Sequence, residues 1–132
     1  MNFKIGTKKI GDGYKSFVVA EMSANHSGKL SNALKIVRLA KKCGADAIKL
    51  QTYTANTITL NSNSKDFLIP KKSPWHKYKN LWNLYDKAYT PWKWHKKIFS
   101  EARKNNLSYF SSPFDETAVD FLEKSGCQAY KV

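Results

Sequence analysis

Between residues 29 and 43 apolar side chains recur every third or fourth place, and Leu30, Ala33, Leu34, Val37 and Ala40 share one stripe. That spacing predicts a helix, and Gly44 follows as its stop. The next stretch, ADAIKLQTYT over 45–54, changes period. Ile48 and Leu50 point one way, Lys49 and Gln51 the other, as on a strand. FVVAE at 17–21 is a short apolar strand ending on Glu21, and LSYFSS at 107–112 is another. TPWKWHKKIFSEARKN at 90–105 reads as a helix. Thr90 is placed to cap it, Pro91 suits the first helical position, Trp94, Ile98 and Ala102 share a face, and Asn105-Asn106 ends it. DETAVDFLEKSG at 115–126 is a third helix, with Asp115 as cap and Gly126 at its end.

At the ends, residues 3–16 alternate and carry Gly11-Asp12-Gly13, which predicts a small hairpin, while AYKV at 129–132 begins a fourth strand. Residues 52–89 show no clear element beyond one or two helical turns in LWNLYDKAY. A loop of that length in a compact domain is usually functional or mobile. Strands alternating with helices imply parallel pairing through right-handed crossovers. The fold class is α/β, and both an open doubly wound sheet and a (β/α)8 barrel fit. A full barrel needs about 250 residues, so the chain supplies about half of one.

Composition narrows the partners. All but Arg38 and Arg103 of the 23 basic side chains are lysine, scattered without a long run, and the net charge is +13. Base readout and phosphate forks favour arginine, so a solvated lysine surface explains the charge better than a nucleic-acid face. Attraction of small anionic substrates is also compatible. No apolar run reaches the roughly 20 residues of a membrane span, and the first residues lack a signal-peptide core, so a cytoplasmic protein is expected. Cys43 and Cys127 form no metal-type pair and are expected as reduced, partly buried thiols.

The polar residues near the C-terminal ends of successive strands carry the candidate chemistry. They are Glu21, then Lys49 and Gln51, then Ser111 and Ser112, then Lys131. In parallel α/β folds those ends share one rim, where the loops build a site. Two lysines, an amide, hydroxyls and one carboxylate suit a small, multiply anionic substrate. Plainer readings stand beside this one. Lys49 could snorkel, Glu21 could simply pair with a lysine, and Ser112 could be a cap. Lys131 could owe its place to the chain end, and Asn25 and His26 could be turn residues. His76 is expected on a loop, His95 on a helix surface, and the tryptophans at 75, 82, 92 and 94 as packing for the long loop.

VAEMSANHSG, GADAIKLQTYT, AYTPWKWHKKIF, FSSPFDETAVDFLEKSG and AYKV, in that order from about residue 3 to Val132, closely resemble the N-terminal half of the sialic acid synthase family. The wording is most similar to the pseudaminic acid synthase branch, with the N-acetylneuraminate and legionaminate branches as competitors. The resemblance implies a (β/α)8 barrel followed by an antifreeze-like domain, in a homodimer. It implies condensation of phosphoenolpyruvate with an N-acetylated amino sugar to a nine-carbon sugar acid plus phosphate. A divalent ion, Mn2+ or Mg2+, polarises the sugar aldehyde in that family. Carried over by motif, Lys49, Ser112 and Lys131 contact phosphoenolpyruvate. Glu21 and Gln51 face the sugar and the reacting centre, and Asn25 and Ser111 join the substrate-binding set. The family's metal ligands come from later strands, so none is expected in residues 1–132. This length alone is expected to be a barrel segment with little or no turnover and with open strand edges that invite association. The alternatives are a non-catalytic module with weak phosphoenolpyruvate affinity and a basic nucleic-acid-binding protein.

Overall fold

A computed structural model describes residues 2–132. The elements run β1 (Phe3–Ile5), β2 (Lys8–Ile10), β3 (Val19–Glu21), α1 (Leu30–Lys42), β4 (Ala47–Thr52), α2 (Ala55–Ile58), α3 (Leu81–Ala88), α4 (Trp92–Lys104), β5 (Ser108–Pro113) and α5 (Glu116–Lys124), with 3-10 turns at Lys65–Phe67 and His76–Tyr78. β1 and β2 form the antiparallel hairpin, but it turns at Gly6-Thr7 rather than at Gly11-Asp12-Gly13. Gly6 adopts φ +59°, the left-handed conformation that a two-residue turn needs.

β3, β4 and β5 form a parallel sheet in that order. Ile48, Leu50 and Tyr109 face one side, where they pack with Ala33 and Val37 of α1, Ile98, Phe99 and Ala102 of α4, and Leu122 of α5. All three long helices therefore cover one face of the sheet. A doubly wound sheet would carry helices on both faces, so this layering is that of a barrel wall. Ile48 and Leu50 are fully buried, and each such side chain contributes roughly 1.5–3 kcal/mol.

Helix ends follow local chemistry. Gly44 closes α1 at φ +88°, and Asp115 accepts from the Ala118 amide at 3.1 Å to start α5. Thr90 does not cap α4. Its hydroxyl is taken by His26, and Pro91 is the capping residue, without a side-chain bond. The segment 52–89 is ordered rather than structureless. Asn80 caps α3 by accepting from the Asn83 amide at 2.9 Å, and Leu68 bridges to Asn80. The expected fourth strand is reduced to one parallel bridge between Ser111 and Tyr130. Cys43 is exposed, because it lies at the end of α1, and Cys127 is half-buried. No helix among the described residues is long and apolar enough to cross a membrane.

Candidate active site

The face of the sheet opposite the helices carries the candidate residues. Parallel registration sets Glu21 beside Lys49 beside Phe110, and Gln51 beside Ser112 in the next row. In a parallel sheet, registered neighbours point to the same side, so Glu21, Lys49, Gln51 and Ser112 share one surface. The Lys49 ammonium lies 2.8 Å from Glu21 Oε1. Its side chain is only 14% exposed, while that of Glu21 is 64% exposed. Lys49 is thus a nearly covered cation whose ionic partner, Glu21, reaches into solvent.

Gln51 lies two residues further along β4, about 6.6 Å away. Its Oε1 accepts from Ser23 Oγ at 2.7 Å, which orients the amide and turns its NH2 away from the serine. Ser23 and Ser27 hold positive φ angles of 45° and 50°, uncommon for residues with a Cβ. The loop between them is pinned by His26, a turn residue that is fully buried. The Gly28 amide donates to His26 Nδ1 at 3.1 Å. The proton of the neutral ring therefore sits on Nε2, which donates to Thr90 Oγ1 at 3.1 Å. Burial pushes the His26 pKa down and keeps the ring neutral.

Asn25 is exposed on the same loop, its amide donating to the Met22 carbonyl at 3.0 Å. Lys131 is exposed, and its amide donates to the Ser111 carbonyl. Its backbone therefore lies alongside β5, next to Ser111 and Ser112 in the chain order of that strand.

Ser111 is separated from this group. It is fully buried on the helix side and shares a 2.7 Å hydrogen bond with Thr52, which also bonds His95 Nε2 at 2.9 Å. The period-two rule that places Ser112 on the open face sends its neighbour to the core. His95 is likewise not on a helix surface. It is fully buried between Phe99 and Phe121, and burial lowers its pKa to about 4 against the pull of the Pro91 and Trp92 carbonyls.

A cleft of about 1020 Å³ opens beside Gln51. Ser23, Asn25 and Gln51 form its polar side, and Tyr53, Tyr78 and Tyr85 contribute to the other. Burial and the neighbouring Tyr85 raise the Tyr53 hydroxyl to about 12, so it stays protonated. Much of this wall comes from 75–88, whose weak periodicity hid it in the sequence. The aromatic spacing in LWNLYDKAY was the one available clue.

The described residues do not fit a divalent ion. No three His, Cys, Asp or Glu side chains gather among them. His26 spends both ring nitrogens inside the fold, His95 is sealed in the core, and Glu21 is paired with Lys49.

The sequence pattern of the NeuB family matches residues 36–132. The chain belongs to the NeuB family. Among NeuB relatives, the pseudaminic acid synthase of Campylobacter jejuni serotype O:2 is 50% identical over 118 residues, covering 89% of this chain and 34% of that protein. The Helicobacter pylori pseudaminic acid synthase is 46% identical over 115 residues, covering 87% and 33%. The crystal structure of N-acetylneuraminic acid synthetase from Leptospira borgpetersenii superposes with a TM-score of 0.80 at 26% identity, over 100% of this chain and 41% of that one. The chain spans about a third of the length of the curated NeuB relatives it matches.

Proposed function

We propose that the chain provides the anion-holding rim of a synthase that joins phosphoenolpyruvate to an N-acetylated amino sugar of the pseudaminic acid type. Residues 1–132 form the N-terminal segment of its barrel domain. In the proposed reaction, C3 of phosphoenolpyruvate bonds to the sugar aldehyde carbon, water adds at C2, and phosphate leaves with cleavage of the C–O bond. The products are a nine-carbon sugar acid and inorganic phosphate.

The observation that carries this reading is the nearly covered Lys49 ammonium on the open sheet face, in register with Glu21 and one row from Gln51 and Ser112. A desolvated ammonium favours a compact anion, because its charge is poorly screened there. Ser112 supplies a hydroxyl donor one row along, and Lys131 a second cation from the segment bonded to β5. The Gln51 amide NH2 faces a carbonyl or hydroxyl of the sugar. Glu21 orients the Lys49 ammonium and yields it to the incoming phosphate or carboxylate. The 46–50% identity to pseudaminic acid synthases supports this sugar class over the legionaminic acid type, where the Campylobacter jejuni relative is 30% identical.

Calorimetry with phosphoenolpyruvate tests the rim. Charged hydrogen bonds are worth about 1.5–3 kcal/mol, so Lys49→Met is expected to weaken binding about ten- to a hundredfold. Equal affinities for the two proteins would sink the proposal.

A further inference from the structure

Three of the four tryptophans are committed to the fold. Trp82 Nε1 donates to Asn56 Oδ1 at 2.8 Å. Trp92 Nε1 donates to the Tyr53 carbonyl at 3.1 Å, and its ring stacks on Phe121 at 4.7 Å. Trp94 meets the His26 ring edge-on at 5.4 Å. Trp75 differs, because it lines the cleft beside Gln51 and remains 54% exposed. Phe114, also on that cleft, is 39% exposed. Large rings left in water beside a cleft mark a surface that an incoming ligand covers.

The Trp75 ring is presented from an ordered turn. The Trp75 amide donates to Ser73 Oγ at 3.2 Å, its carbonyl accepts from the Tyr78 amide at 3.0 Å, and the neighbouring His76 ring bonds the Ile69 carbonyl at 3.0 Å. On the same cleft, Tyr53 braces Tyr85 and Phe114 in edge-to-face contacts at 5.8 and 5.4 Å. The backbone under Trp75 and the Tyr53, Tyr85 and Phe114 rings are therefore held by the fold itself, which lowers the entropic cost of binding.

Two cations also line the cleft, and both are engaged by near neighbours in the chain. Lys87 pairs with Asp86 at 3.2 Å, and Lys77 lies 5.1 Å over the Tyr78 ring. The same cleft is lined by the neutral groups Ser23, Asn25 and Gln51. Rings and neutral donors and acceptors lining one cleft suit a ligand with an apolar face and amide or hydroxyl groups. The anion is left to the Lys49 row.

We infer that Trp75 is a specificity-determining residue, its ring covering the apolar face of the bound sugar and favouring deoxygenated, multiply N-acetylated sugars over fully hydroxylated ones. This rests on the reading of the chain as an amino-sugar synthase. Methyl groups on the sugar bury against the indole, whereas a hydroxymethyl group there gives up water for no partner.

The test uses calorimetry on the whole chain with phosphoenolpyruvate present and two probes, a diacetamido-deoxyhexose and N-acetylmannosamine. Wild type is expected to prefer the first. Trp75→Ala is expected to weaken the diacetamido sugar about tenfold, to move N-acetylmannosamine less than about twofold, and to leave phosphoenolpyruvate affinity unchanged, while Trp75→Phe keeps most of the preference. Circular dichroism confirms that both variants fold, as an exposed ring allows. Equal losses for both sugars, no loss for either, or wild type that binds neither sugar would each overturn the inference. Wild type that discriminates the sugars through Trp75 but does not bind phosphoenolpyruvate would support the inference and refute the function proposed above.

Discussion

Stability is expected to fall as the pH drops below 6.5, and His95 is the group through which the effect can be isolated. The folded chain holds this ring neutral in the core with a pKa of about 4, against 6.5 for an ordinary histidine. Between those values the unfolded chain binds a proton that the folded chain refuses, so acid favours unfolding. The sign is that of a buried base: the stability is whole above pH 6.5 and is lost as the pH falls towards 4. Linkage over that interval gives a loss of about 2 kcal/mol by pH 5 and about 3 kcal/mol by pH 4. That is a large share of the 5–15 kcal/mol typical of a domain. Paired carboxylates also lose stability in acid, Glu101 beside Arg38 and Asp115 at its helix start among them, so the difference between two proteins is the useful quantity. His95→Gln keeps a polar group near Thr52 but cannot take the proton. Urea unfolding of both proteins at pH 7, 6, 5 and 4 reads the effect. The wild-type curve should converge on the variant by about 3 kcal/mol across the series, and two parallel curves would refute the reasoning.

Two further outcomes follow from single contacts. Glu21→Gln removes the charge that competes for the Lys49 ammonium. Phosphoenolpyruvate affinity is expected to rise about two- to fivefold by calorimetry, modest because Glu21 is mostly in solvent, and unchanged or weaker binding would count against Glu21 as the competitor. Asp115→Ala deletes the acceptor for the Ala118 amide and should cost about 1 kcal/mol in urea unfolding at pH 7, whereas an unchanged midpoint would deny the cap its role.

Much of the framework was legible before any coordinates. The 3.6-residue period marked α1, a shared apolar face marked α4, cap residues marked α5, and the switch to period two marked β4. The same alternation assigned Lys49 and Gln51 to one side of β4. Ser111 and Ser112 look like one pair in the sequence, yet alternation along β5 separates them. The ordered course of 52–89 was hidden because its short pieces are held by particular side-chain bonds, such as Asn80 to the Asn83 amide, rather than by a periodic face.

Local rules could name an element and the side on which a residue stands, since both depend on near neighbours in the chain. They could not say which face of the sheet the helices would cover, and that alone separates a barrel wall from a doubly wound sheet. They could not foresee that Thr90 would turn from its own helix to His26, 64 positions away, or that His95 would be sealed against Thr52. Nor could they single out Trp75 from three other tryptophans. Each of these outcomes depends on competition among distant partners for burial and hydrogen bonds, and only the assembled fold decides such a competition.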